Sequence, residues 1–262
     1  MTRHGSPLLS ASGLRKRYPG AGGRAGHLAL DDVGLELNAG ETLGIVGESG
    51  SGKSTLARVL MRLTPADGGV ATYDGIDMLR PSATEALRLT RAVQIVFQDP
   101  NSSMNPRRTV RQALAEATRV AATPAAGTED RLVDLLDSVG LSREKLDAYP
   151  HQLSGGQRQR VAIARALAVS PNVVIADECV SALDVSVQSS VLNLLLDLQR
   201  ELGLAYIFIS HDLSVVRHMS DRVMVMKSGR VVEQGTSADV LLRPRHTYTR
   251  ELLASVPGLG DG

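Results

Sequence analysis

The chain has 262 residues, 43% hydrophobic and 22% charged, enough to bury a sizeable core as one large domain or as a domain with a subdomain. A formal net charge of +1 gives no reason to expect nucleic-acid binding. The single cysteine, Cys179, excludes an intrachain disulfide, a multi-cysteine zinc site and a four-cysteine iron–sulfur cluster, and fits a reducing compartment. No stretch approaches 18 apolar residues, and the N-terminus lacks the apolar core of a signal peptide. The expectation is a chain without a membrane span or a recognisable export signal.

In chain order, the first 36 residues read as antiparallel strands around a Gly-rich turn, "PGAGGRAG" (19–26). "TLGIV" (42–46) is a short apolar run and a buried strand candidate, with a helix following over residues 56–63. "AVQIVF" (92–97), "VVIAD" (173–177), "AYIFIS" (205–210) and "RVMVM" (222–226) are further strand candidates. The apolar spacing of residues 187–202 predicts a helix closed by Gly203. From about Asp99 to Ser170 the pattern is helical throughout. The organisation expected is one α/β domain with a largely parallel sheet. A core and β subdomain take about 1–98 and 171–262, and a helical subdomain is inserted over about 99–170.

"GESGSGKST" joins the first buried strand to its helix and matches the phosphate-loop pattern. Its residues are Gly47, Glu48, Ser49, Gly50, Ser51, Gly52, Lys53, Ser54 and Thr55. The glycines let backbone N–H groups wrap a β-phosphate, and the helix N-terminus adds positive potential. Lys53 is one of only four lysines in the chain and is expected to reach the β- and γ-phosphates. Ser54 is expected to ligate Mg²⁺. A Gly/Ser turn that happens to hold a lysine is the plain alternative, and the correct flanks argue against it.

About 120 residues later, "VVIADE" is an apolar strand ending in two acids. On its own this reads as a strand capped by solvated carboxylates. Paired with a phosphate loop it reads as the second half of a nucleotide site. Asp177 then holds the Mg²⁺ shell, and Glu178 orients or deprotonates the attacking water. "LSGGQRQR" (153–160) puts a serine and two glycines at a helix start, which is either an anion site or a simple N-cap.

The order phosphate loop, "FQDP", "LSGGQ", "VVIADE", "SALD", "ISHD" resembles the ATP-binding subunit of ABC transporters, from Tyr18 to the C-terminus. The resemblance implies a P-loop NTPase core of the ABC type with an N-terminal antiparallel β subdomain and an inserted helical subdomain. It implies Tyr18 stacking on adenine, and Gln98 contacting Mg²⁺ and the lytic water. It implies Ser154, Gly155, Gly156 and Gln157 on the γ-phosphate of the opposite subunit's ATP. Asp184 would link the two sites, and His211 would contact the γ-phosphate and hold Glu178 and the water. "FQDPNSSMNPRRTV" (97–110), "SALDVSVQ" (181–188) and "HTYTRELLASVP" (246–257) are similar to subunits of the oligopeptide, dipeptide and nickel importers. Thr247 departs from the proline usual there.

The expected function is therefore an ATPase, with ATP and Mg²⁺, that powers uptake of peptides or nickel and metal chelates. Its expected place is the cytoplasmic face of the membrane. Two membrane-spanning permease subunits and a second ATPase chain are the implied partners, a heterodimer being favoured over a homodimer. An extracytoplasmic substrate-binding protein acts indirectly. The competing reading is an ABC-type subunit of a soluble complex such as the one cleaving carbon–phosphorus bonds. Cys179 follows two carboxylates that raise a thiol's pKa, so it is expected to be a protonated space-filler and not a nucleophile.

Overall fold

A computed structural model describes residues 6–19, 26–99, 104–121 and 127–255. The Gly-rich turn expected near residues 20–25 lies outside the described residues. The chain divides into two compact units, Met1–Leu89 with Ala205–Gly262, and Thr90–Leu204.

The first unit opens with β1 (Leu9–Tyr18), β2 (His27–Leu37), β3 (Thr42–Val46), α1 (Lys53–Leu60), β4 (Gly68–Tyr73) and β5 (Ile76–Asp77). An antiparallel sheet runs in the order β2-β1-β4-β5. In β1 the buried side chains are Leu9 and Ala11, then Leu14 and Lys16. That phase change needs one extra residue, and the register of β1 on β2 and on β4 slips around Ser12 and Gly13. α2 (Ala83–Ala92) carries the chain into the second unit.

In the second unit, β6 (Val93–Val96) is followed by α3 (Val110–Ala121), α4 (Glu129–Asp137), two 3₁₀ turns (Arg143–Asp147 and Pro150–Gln152) and α5 (Gly155–Leu167). Then come β7 (Val173–Asp177) and α6 (Val185–Leu202). β6 and β7 pair in parallel from Val93↔Val173 to Val96↔Ala176. Leu114, Leu132, Leu136, Leu146 and Val161 are buried among these helices. Arg111 forks between Glu129 and Asp147 at their surface. Such exposed pairs fix geometry more than they add stability.

The chain returns to the first unit with β8 (Ala205–Ile209), α7 (Leu213–Met219), β9 (Arg222–Lys227), β10 (Arg230–Thr236), α8 (Ser237–Leu242) and α9 (Thr247–Ala254). β3 pairs in parallel with β8 on one side and β9 on the other. β10 adds antiparallel to β9. All five residues of β3 and of β8 are buried, as expected for parallel strands covered on both faces. The elements are those expected: an α/β chain with buried parallel strands, an N-terminal antiparallel sheet and a run of helices between β6 and β7.

Candidate active site

In the first unit, β3 ends at Val46 and the phosphate loop turns directly into α1. Gly47 has φ +151°, and a Cβ there would sit 2.2 Å from the Met226 carbonyl oxygen, so no other residue fits. The start of α1 has Gly52 at its N-cap, no side-chain cap and no acid in its first turn. That leaves the dipole end with nothing negative of its own, a setting that favours a bound anion.

Lys53 is buried at 5% exposure. Its ammonium donates to the Gly47 carbonyl at 2.6 Å, the Glu48 carbonyl at 2.9 Å and Ser51 Oγ at 3.4 Å. The loop is thus folded around its own lysine. Glu48, Ser49 and Gly50 are exposed at its crest, while Ser54 and Thr55 are half-buried. His211 follows the buried strand β8 in an exposed turn. That turn is fixed by Asp212, whose Oδ1 accepts from the N–H groups of Ser214 at 2.9 Å and Val215 at 3.3 Å. Tyr18 is half-buried at the end of β1, with Lys16 Nζ 5.8 Å from its ring centre.

In the second unit, Asp177 closes β7 at 8% exposure. Glu178 then adopts φ +50°, a left-handed backbone that costs a non-glycine residue about 1 kcal/mol or more. The turn is held by Ser181, which donates to the Glu178 carbonyl from both its N–H at 3.1 Å and its hydroxyl at 2.9 Å. Gln98 Nε2 donates to Ser181 Oγ at 3.2 Å. Gln98 and Glu178 are therefore tied through one hydroxyl, a link the sequence reading did not single out. Strain held at such a turn aims the side chain and is common where a carboxylate has chemistry to do.

The serine of the "LSGGQ" signature motif, Ser154, caps α5. Its Oγ accepts from Gln157 N at 3.2 Å, and Gln157 Oε1 accepts from Ser154 N at 3.0 Å. A Cβ on Gly156 would lie 2.4 Å from Val187 Cγ1, so the start of α5 packs closely on the first turn of α6. Asp184 caps α6, accepting from Val187 N at 2.9 Å and Ser186 Oγ at 2.8 Å. Those donors, the Val187 N–H first, pull its pKa below the usual aspartate range. Both motif turns thus keep their shape through their own capping hydrogen bonds.

Cys179 is 1% exposed, and its pKa is pushed up to about 12. Burial is the main cause, and the charge of Asp177 adds to it. The direction agrees with the expectation, but the carboxylate is the lesser cause. Cys179→Ala is expected to leave the steady-state ATPase rate within a few-fold. A larger loss would make the thiol more than a space-filler. Among the described residues no cluster of three metal-ligating His, Cys, Asp or Glu side chains occurs. No helix among them is long and apolar enough to cross a membrane.

A profile of the ABC transporter family matches residues 30–181. The chain is 50% identical to the dipeptide transport ATP-binding protein DppF of Escherichia coli (strain K12), over 97% of its own length and 77% of that protein. It is 45% identical to the oligopeptide transport ATP-binding protein OppF of Lactococcus lactis subsp. lactis (strain IL1403), over 97% and 82%. It superposes with a TM-score of 0.75 and 29% identity on the ATP-binding cassette MJ0796, solved as a dimer in a post-hydrolysis state bound to ADP and phosphate. That match covers 88% of this chain and 99% of that one. With a phosphate loop folded around a buried lysine and a strained glutamate at the end of a buried strand, the chain belongs to the ABC transporter family as one of its ATP-hydrolysing subunits.

Proposed function

We propose that the chain powers a peptide importer from the cytoplasmic face of the membrane. It would act there as a peripheral subunit bound to two membrane-spanning permease chains. One observation carries this reading: a preformed phosphate loop in a chain half identical, over nearly its whole length, to a dipeptide transport ATP-binding protein. A second, different ATPase chain completes the pair. Val185, next to Asp184, is 81% exposed, and Ser154 is exposed at the start of α5, which supports a partner covering that face.

Tyr18 stacks on adenine. The N–H groups of residues 50–55 cradle the phosphates, and Lys53 exchanges its loop carbonyls for phosphate oxygens. The Ser54 hydroxyl, the Gln98 amide and the Asp177 carboxylate, which stands at the end of a buried strand, are hard oxygen donors of the kind Mg²⁺ takes. When bound, Mg²⁺ neutralises charge on the β- and γ-phosphate oxygens. Glu178 takes the proton from the attacking water, and His211 and Gln98 orient that water. Ser154, Gly155, Gly156 and Gln157 face the γ-phosphate of the ATP held by the other subunit, and Asp184 couples the two sites.

In the second unit, a groove of about 520 Å³ is lined by Gln94, Met104, Arg108, Glu116, Val120 and Arg165, among others. Its mix of apolar and charged lining suits a cytoplasmic loop of a permease. The test is uptake in a strain lacking this chain. Di- and oligopeptide import is expected to fail and to return with the wild-type gene but not with Glu178→Gln. Intact peptide import with loss of nickel or metal-chelate uptake would overturn the peptide reading.

A further inference from the structure

We propose that Tyr248 is a positioning residue for the phosphate loop, holding the Gly47–Glu48 peptide from outside while Lys53 holds it from within. The proposal rests on the reading that residues 47–55 bind the phosphates of ATP.

The geometry is specific to one peptide plane. Its carbonyl, on Gly47, accepts from Lys53 Nζ at 2.6 Å. Its N–H, on Glu48, donates to Tyr248 Oη at 3.1 Å. The plane is therefore gripped at both ends, by residues 195 positions apart in the chain. Gly47 also abuts the Met226 carbonyl, where a Cβ would have 2.2 Å of room. The peptide has no slack in which to turn while both grips hold.

Tyr248 is itself well seated. It is 3% exposed, and Lys227 Nζ stands 4.2 Å from its ring centre. The start of α9 is moored to β10: Glu233 carboxylate oxygens accept from Arg245 N at 2.8 Å and His246 N at 3.0 Å. His246 Nδ1 then accepts from Tyr248 N at 3.1 Å. Burial first, and contact with the Glu48 carboxylate as well, raise the phenol's pKa, so it stays protonated across the physiological range.

When Lys53 leaves the Gly47 carbonyl for a phosphate, the inner grip is released. Tyr248 alone then keeps the peptide plane in the orientation that shapes the loop. The hydroxyl thus sets nucleotide affinity and leaves the chemical step alone.

The experiment uses the full chain, measuring binding of a fluorescent N-methylanthraniloyl ATP and steady-state ATP hydrolysis. Tyr248→Phe keeps the ring on Lys227 and removes only the hydroxyl. It is expected to raise Kd and KM for nucleotide about 3- to 10-fold, the range of one ordinary hydrogen bond. It should leave kcat within about two-fold. A partly unfolded variant would lower apparent kcat and leave KM alone, so a rise in KM isolates positioning. Lys227→Met, which loosens the seat but keeps the hydroxyl, should raise KM in the same direction by less. Unchanged KM in Tyr248→Phe, or a fall in kcat alone, would overturn the proposal. Lys53→Ala separates the two levels. If that variant binds nucleotide normally, the reading of the loop itself fails. If it loses binding while Tyr248→Phe matches wild type, only the latch fails.

Discussion

Glu178→Gln will bind ATP and hydrolyse it at least ~100-fold more slowly than wild type, the lower end of what a general base contributes. The substitution is close to isosteric. The backbone that aims the side chain is set elsewhere: φ is +50°, and both the N–H and the hydroxyl of Ser181 hold the carbonyl. Neither contact uses the carboxylate, so the amide will occupy the same turn without being able to accept a proton. Phosphate release measured beside nucleotide binding gives the answer. Near-normal turnover would remove Glu178 from the role of base.

Lys53→Met will lower affinity for ATP by ~100-fold or more. A hydrogen bond to a charged group contributes about 1.5–3 kcal/mol, and a lysine reaching two phosphates makes at least two. The same variant leaves the Gly47 and Glu48 carbonyls without the ammonium that bridges them at 2.6 and 2.9 Å, so the empty loop loses its internal brace as well. Titration with nucleotide measures the first effect. Affinity within about ten-fold of wild type would place the lysine outside the phosphate site.

The elements that position these two residues are also those the sequence displays most openly. β3 and β7 are runs of five buried residues, too apolar to face water on either side. α6 ends where its apolar spacing ends, at Gly203 with φ +66°. What stayed hidden depends on distant pairing or on shortness. β4 begins with two glycines and exposes Val70, a poor strand by composition, and it exists because β1 pairs with it from Leu9↔Tyr73 onward. β5 has two residues. α7, α8 and α9 are seven, six and eight residues long, too short for a periodic stripe, and are marked only by caps at Asp212, Thr236 and His246.

The site divides in the same way. The phosphate loop, the two acids of "ADE" and the signature serine announce themselves because each is a local motif. Ser181 was visible only as part of "SALD", and its bond to Gln98 joins positions 83 apart. Tyr248 sits in a tail motif that gave no hint of the loop it touches. A contact 200 residues away leaves no trace in spacing or periodicity.

The buried cysteine offers one more use. Cys179 is the only thiol in the chain and stands two residues past the end of β7, shut away from solvent. A thiol reagent can reach it only when that corner opens. The labelling rate at neutral pH therefore reads the opening free energy of the segment carrying Glu178, as amide exchange does for a backbone proton. Nucleotide that closes the segment would slow the reaction. The buried thiol thereby serves as a built-in clock for the segment that carries Glu178.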